Sequence, residues 1–197
     1  MPKQYDRAYF DRWYRGQGFG SPARLERKVR YAVSSAEYLL DRPVRSVLDV
    51  GCGEGAWQPV LRRLRPAASY IGVDPSEYAI QRHGARRDLI LGGMGDLDSL
   101  DLGGPFDLVI CVDVVPYVTD RDAEAGISAI GRLVQGAALI ELFTSVDDFE
   151  GDRREYRDRT PARYRRWFAR ADLVHVGPNL FVPVALLPTL SYFEGGT

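Results

Sequence analysis

The sequence predicts an α/β protein built on a doubly wound, mostly parallel sheet with helices on both faces. Three observations carry that reading. Short apolar runs alternate with segments whose apolar residues recur at helical spacing. The runs, among them "VRSVLDV", "SYIGVD" and "FDLVICVDV", are near-continuous rather than alternating, as strands covered on both faces require. The first run ends in a turn with three glycines in five residues, Gly51-Cys52-Gly53-Glu54-Gly55. Sheets of this class present their backbone to ligands at such turns.

The elements follow in order. The opening segment sets Tyr5, Tyr9, Phe10, Trp13, Tyr14 and Phe19 among charges, too aromatic for a disordered tail. Ser21 and Pro22 read as the N-cap and first residue of a helix. Leu25, Val29, Val33, Ala36 and Leu40 carry it to about Leu40, and Pro43 marks its end. "VRSVLDV" is the first strand. "AWQPVLRRLR" is helical, with Pro59 in its first turn. "SYIGVD" is a strand, and "SEYAIQR" is a short helix closed by His83-Gly84, with Gly84 as a left-handed cap. "LILGGM" and "FDLVICVDV" are strands. Residues 120–135 form a helix through Ile127, Ile130, Leu133 and Val134, and "ALIELFTS" is the next strand. Thr160 and Pro161 open the helix "TPARYRRWFARA". In "LVHVGPNLFVP" two apolar runs are joined by Gly177-Pro178-Asn179, too tightly for a crossover, so they pair antiparallel. The last dozen residues read either as a helix beginning near Pro183 or as an edge strand at "TLSYFE".

A chain of 197 residues, 45% hydrophobic, suits one domain with a sizeable core. Its net charge of −1 gives no bulk attraction to nucleic acid, and its arginine-rich stretches are interleaved with acids. Two cysteines, no signal peptide and no membrane-length apolar run lead to the expectation of a cytoplasmic protein with reduced thiols and no membrane partner. His83 and His175 are isolated and no cysteine cluster exists, so no metal site is expected.

The glycine turn discriminates between ligands. A phosphate cradle wants G-x-G-x-x-G, free of acids, at a helix N-terminus. This turn reads G-x-G-x-G, with Asp49 before it and Glu54 within it, which suits a ligand with a positive centre. Asp74 ends the next strand, where one carboxylate can accept both hydroxyls of a ribose. Asp96, in "GGMGDLDSL", stands where it can accept from an adenine amino group. The implied ligand has an adenosine end, a cation and no phosphates.

Over roughly residues 44–145 the sequence resembles the class I S-adenosylmethionine-dependent methyltransferases. "VLDVGCGEG" is similar to the family's glycine-rich first motif, and "IGVDPS" to its ribose-binding acid. "GDLDSL" resembles the adenine-reading segment, and "FDLVICVDVVPYV" the fourth-strand motif beside the methyl-transfer site. The resemblance implies a Rossmann-like, seven-stranded sheet, with an antiparallel strand from the hairpin, and S-adenosyl-L-methionine as cofactor. It places Gly51, Cys52 and Gly53 against the methionine part, and Asp49 under the turn or facing the amino group. It gives Asp74 the ribose, Pro75 the adenine face, Gly95 and Asp96 the adenine edge, and Asp113 one wall. Residues 1–40 become a helical N-terminal lid and helix, in which Tyr14 and Arg15 suit the cofactor's carboxylate end. Residues 44–145 become the cofactor core, and 146–197 the substrate-side loop, helix and hairpin.

Methyl transfer is an in-line displacement in which the protein aligns the reactants and excludes water, so no single catalytic motif is expected. Glu141 is the odd acid in an apolar strand: a base or substrate ligand, or one half of an ion pair with an arginine. Tyr117 is a pocket-wall candidate or a core aromatic. The expected acceptor is a small polar molecule, a sugar or specialised metabolite, methylated on oxygen or nitrogen. Two alternatives share the fold: a non-catalytic module that binds the cofactor or its demethylated product, and a nicotinamide-dependent dehydrogenase.

Overall fold

The computed structural model describes residues 3–16, 21–148 and 151–190. Five strands run parallel: β1 (Ser46–Val50), β2 (Ser69–Asp74), β3 (Leu89–Leu91), β4 (Phe106–Val112) and β5 (Val134–Glu141). The hairpin of β6 (Leu173–Gly177) and β7 (Leu180–Pro183) completes a seven-stranded sheet of order β3-β2-β1-β4-β5-β7-β6. β7 inserts between β5 and β6 and is antiparallel to both. The strand order reverses between β1 and β4, and the glycine turn leaves β1 at that crevice.

Local chemistry explains the helices. In α2 (Pro22–Leu40) the Ser21 side chain accepts from the Arg24 amide, and proline fills the first position. Pro59 sits in the first turn of α3 (Trp57–Leu64). Ser76, Thr119 and Thr160 cap α4 (Glu77–Arg87), α5 (Asp120–Leu133) and α6 (Pro161–Arg170). Successive strand residues then feed two apolar layers. Val47, Leu108 and Ile110 pack with Val29 and Val33 of α2 and Leu61 of α3. Leu48, Val50, Val109 and Cys111 pack with Ile127 and Ile130 of α5 and Trp167 and Phe168 of α6.

Two expectations are corrected, and of the two readings of the segment after β7 the helical one holds. The helix after β2 does not close at His83-Gly84; it runs to Arg87, and Asp88 takes the left-handed cap at φ 55°. Gly84 serves close packing instead, since a Cβ there would stand 3.3 Å from the Leu89 carbonyl oxygen. α5 ends at Leu133 and β5 begins directly at Val134, so Val134, read as part of the helix, belongs to the strand. The segment after β7 is a 3₁₀ helix, Val184–Thr189; residues 191–197, with most of "TLSYFE", lie outside the described residues. Among the described residues no helix is long and apolar enough to cross a membrane, and both cysteines are free and buried.

A buried carboxylate at the amino end of β4 joins three elements. Asp107, 1% exposed, accepts from both Arg42 Nη atoms at 2.8 and 2.6 Å, from the Arg45 amide at 2.6 Å and from Gln135 Nε2 at 2.7 Å. Burial alone would raise its pKa, but these donors outweigh burial and hold it below the ordinary carboxylate value. The stability it contributes is therefore present above the unfolded value and lost as pH falls through the lower folded one. Asp107→Ala is expected to cost about 3 kcal/mol in urea unfolding at pH 7, because it strands the guanidinium and the amides. The deficit should shrink as pH falls below about 4. An unchanged midpoint at pH 7 would refute this role.

Candidate active site

The turn after β1 depends on backbone that other residues adopt only at a cost. Gly51, Gly53 and Gly55 have φ of 69°, 55° and 70°. A Cβ on Gly51 would lie 2.2 Å from Val114 Cγ2. The Gly51 and Cys52 amides donate to the Val73 carbonyl at 2.7 and 3.1 Å. Asp74, the last residue of β2, is buried and bridges the turn to α4. Its Oδ2 accepts from the Gly53 amide at 2.7 Å and its Oδ1 from the Ser76 amide at 2.9 Å. Asp49 is buried within β1 and accepts from Tyr70 Oη at 2.7 Å. Burial pushes the Asp49 carboxyl up to about 7, with the Tyr70 bond opposing and the Asp74 charge adding. Burial also raises Asp74, against the pull of its two amide donors. The Cys52 thiol is buried and pushed up by burial, so it is an inert neighbour of the turn.

The aromatic segment folds onto this turn. Asp6 caps α1 (Arg7–Phe10) by accepting from the Tyr9 amide at 2.9 Å, and a π-helical turn, Asp11–Gly16, continues it. Phe10 is 1% exposed and stacks on Tyr78 at 5.7 Å. A Cβ on Gly53 would stand 3.2 Å from both Phe10 Cε1 and Tyr14 Oη, so the aromatic segment rests on the bare glycine. Tyr14 keeps 44% of its surface exposed while its hydroxyl points inward. The surrounding protein, then the Tyr9 and Asp74 groups, raise its pKa well above normal. Arg15 donates to Asp11 and to Glu54, both at 2.6 Å, pinning the lid to the turn. Ser76 Oγ donates to the Tyr5 carbonyl. Residues 17–20, between this segment and α2, lie outside the described residues.

The second wall follows β4 and β5. Asp113, at φ 58°, is exposed yet crowded by protein, the position of a group lining a cleft. Its carboxyl is raised to about 6, by burial first and then by Glu141, with Lys28 and Arg24 opposing. Glu141 Oε2 lies 2.6 Å from Lys28 Nζ, so its ion pair is with a lysine of α2 rather than with an arginine. Tyr117, in the 3₁₀ turn Val115–Tyr117, donates to the Asp152 carbonyl at 2.8 Å and meets Tyr156 edge-on at 5.7 Å. Asp96 and Pro75 are exposed. Asp96 Oδ2 accepts from the Gly93 amide at 2.8 Å, and a Cβ on Gly95 would stand 2.8 Å from Asp122 Oδ1. The structure thus gathers Tyr14, Asp49, Cys52, Gly53 and Asp74 at the turn, with Arg15 reaching it through Glu54. Asp113 and Glu141 form a separate wall. A cavity of about 650 Å³ lies between α2 and the β6–β7 hairpin, lined by Tyr31, Tyr38, Leu39 and Val176, and none of the residues described above lines it.

Sequence reasoning missed Arg159. Its side chain is 1% exposed, and its Nε donates to Asp120 Oδ1 at 2.8 Å. Its Nη atoms donate to the Val115 and Val118 carbonyls at 2.7 and 2.6 Å, and its guanidinium stands 5.3 Å from the Trp167 ring centroid. It therefore sets the loop that carries Tyr117. In the sequence it is one arginine among several, distinguished only by preceding the Thr160 cap. Arg159→Met is expected to cost about 3 kcal/mol, by leaving two carbonyls and Asp120 Oδ1 without their donor, Oδ2 keeping Arg163. It should also speed amide exchange at residues 115–118; wild-type stability and exchange would show that the loop holds itself.

Comparison with known proteins follows from this geometry. A family model described as a methyltransferase domain matches residues 22–177. The ubiquinone biosynthesis O-methyltransferase of Xanthomonas oryzae pv. oryzae is 30% identical over 142 residues, which cover 70% of this chain and 57% of the relative. The chain thus spans less than two thirds of that relative's length. Among solved structures, Streptomyces venezuelae DesVI superposes with a TM-score of 0.67 at 18% identity, over 90% of this chain and 98% of that one. The S-adenosylmethionine-bound amino pentose methyltransferase CalS10 from Micromonospora echinaspora gives 0.65 at 18% identity, over 92% and 98%. These two likenesses are likenesses of fold. With the family model covering most of the chain, the chain belongs to the class I S-adenosylmethionine-dependent methyltransferase family.

Proposed function

We propose that this chain transfers a methyl group from S-adenosylmethionine to an oxygen or nitrogen of a small polar molecule, such as a sugar or specialised metabolite. One observation carries the reading: a positive-φ glycine turn set between two buried carboxylates, Asp49 and Asp74, under an aromatic lid. Buried acids with raised pKa values favour a cationic ligand and disfavour a pyrophosphate. The names of the similar proteins, an O-methyltransferase and an amino pentose methyltransferase, support the reaction class.

The bound cofactor supplies a methyl group already activated on a sulfonium. The protein aligns it and excludes water. Asp74 keeps lone pairs beyond its two amide bonds and takes the ribose hydroxyls. Asp49 neutralises the cationic end beneath the turn. Asp96, Gly95 and Pro75 bound the adenine, and Tyr14 and Arg15 approach the carboxylate end. Tyr117 and Glu141 wall the acceptor side. Lys28 already engages Glu141, whereas Asp113 stays open to solvent at about 6. Asp113 is therefore the carboxylate that takes the proton when the acceptor is a hydroxyl.

Incubation of a metabolite extract with the protein and methyl-labelled cofactor, read by mass spectrometry, tests the reading directly; cofactor binding without any labelled product would reduce the chain to a binding module. Asp74→Ala should weaken S-adenosylmethionine binding by about 1.5–3 kcal/mol, the scale of charge-assisted hydrogen bonds lost. Unchanged calorimetric affinity in a folded variant would remove Asp74 from the site. Binding should also titrate. Asp49 is half-protonated near pH 7 in the free protein, and a cation beside it lowers that value. Affinity should then rise between about pH 5 and 7, with protons released on binding, and level off above about 8. Calorimetry in buffers of different ionisation enthalpy reads the release, which Asp49→Asn should abolish; no proton release at pH 6 would place the cation elsewhere.

A further inference from the structure

Lys3 and Lys28 are the only lysines among the 26 Lys and Arg residues of the chain. Lys28 meets Glu141; Lys3 is buried in a cage. Its side chain is 3% exposed. Its ammonium lies 3.9 Å from the Tyr117 ring centroid, 5.1 Å from that of Tyr9 and 5.2 Å from that of Tyr5, within cation–π range of all three. Asp152 Oδ2 closes the cage at 2.8 Å, and the Lys3 amide donates to Glu155 Oε1 at 2.7 Å. Burial pushes all three phenols up, so the rings are neutral. Burial alone would also raise Asp152, but Lys3 and the Arg154 amide outweigh it and hold the carboxyl below its ordinary value.

The cage gives lysine little that is specific to lysine. Beyond the 2.8 Å contact with Asp152, the ammonium is surrounded by the faces of three tyrosine rings. Charge and ring faces hold it, and these would hold any compact ammonium equally. The place also suits an acceptor. Tyr117 belongs to the loop after β4, and Tyr9 lies 6.5 Å from Tyr14, whose hydroxyl covers Gly53. A cavity of about 600 Å³, lined by Lys3, Tyr9, Arg12, Trp13, Asp152 and Arg154, adjoins the cage and has room for a small molecule.

We propose that the cage of Tyr5, Tyr9, Tyr117 and Asp152 is the subsite for an ammonium group of the methyl acceptor, and that Lys3 is its resident competitor until the acceptor enters. The inference rests on the methyl-transfer reading and narrows its substrate to cationic small molecules. The caged group stays protonated, because ring faces and a carboxylate favour the cation. The methylated atom is therefore a second group of the same molecule.

The 197-residue chain, labelled with ¹³Cε-lysine and saturated with S-adenosylhomocysteine, gives two lysine CεH₂ resonances. That of Lys3 should lie upfield from the ring current of Tyr117. n-Butylammonium should return it to the position of a solvated lysine, whereas n-butanol should not, and Lys28 should stay in place. Lys3→Met should bind n-butylammonium at least tenfold more tightly than wild type, read on the tyrosine ring resonances. Adding Tyr117→Leu should remove the preference over butanol. Labelled-methyl products from the metabolite extract should be retained on a cation exchanger at neutral pH. A Lys3 resonance without upfield shift or unmoved by n-butylammonium, equal response to the alcohol, unchanged affinity in Lys3→Met, or neutral products would each overturn the inference. Failure of the wild type to bind S-adenosylhomocysteine would instead defeat the methyl-transfer reading itself.

Discussion

One buried carboxylate, Asp74, accepts the amide of Gly53 with one oxygen and the amide of Ser76 with the other, and the geometry of the cleft follows from that bridge. It ties the turn after β1 to the first turn of α4 across neighbouring parallel strands. The turn can be this tight because Gly51, Gly53 and Gly55 occupy the left-handed region. With Gly53 bare, Phe10 and Tyr14 descend to contact distance. Ser76, fixed by the same carboxylate, both caps α4 and holds the Tyr5 carbonyl. Floor and lid are thus parts of one hydrogen-bonded unit.

The electrostatics of that unit are unbalanced, and the imbalance is informative. Asp49 and Asp74 are buried against neutral donors, a phenol and backbone amides, which stabilise an ion less than a guanidinium does. Asp107, at the opposite end of the sheet, is also inaccessible to solvent, but it is less deeply desolvated and is engaged by Arg42, and its pKa moves down instead of up. The same residue type therefore serves as a structural clamp at the amino ends of the strands and, without a cationic partner, as a carboxylate of raised pKa at the carboxyl ends. Where burial is left uncompensated, a cationic ligand gains the most.

The acceptor side is assembled differently. Arg159 gathers the carbonyls of the loop after β4 from a segment that follows β5, and the Arg157 backbone amide donates a hydrogen bond to the Pro116 carbonyl at 2.8 Å. Asp152 and Glu155, in that same segment, receive Lys3 from the lid. The N-terminal segment, the loop after β4 and the loop after β5 meet around a single ammonium, so three segments far apart in the chain share one electrostatic contact.

Much of this was legible in the residues. The apolar runs, the Ser21, Ser76 and Thr160 caps, the hairpin turn at Gly177-Pro178-Asn179 and the acids ending β1 and β2 are local signals, because backbone conformation and hydrogen-bond capacity are set within a few residues. Gly84 was misread because the same glycine signature marks a helix cap or a close approach to a neighbouring strand, and only the position of Leu89 distinguishes them. Glu141 was legible as an anomaly, but its partner was not, since nothing in the spacing of Lys28 along α2 refers to β5. The sequence by itself determined the order of strands and helices, the acid-bearing glycine turn and hence the family. Tertiary structure alone decided that β7 lies between β5 and β6, that Arg159 is buried among its exposed neighbours, and that Lys3 reaches the Asp152 loop. These are contacts between segments far apart in the chain, chosen by the packing of the whole sheet and its lid, and no local periodicity encodes them.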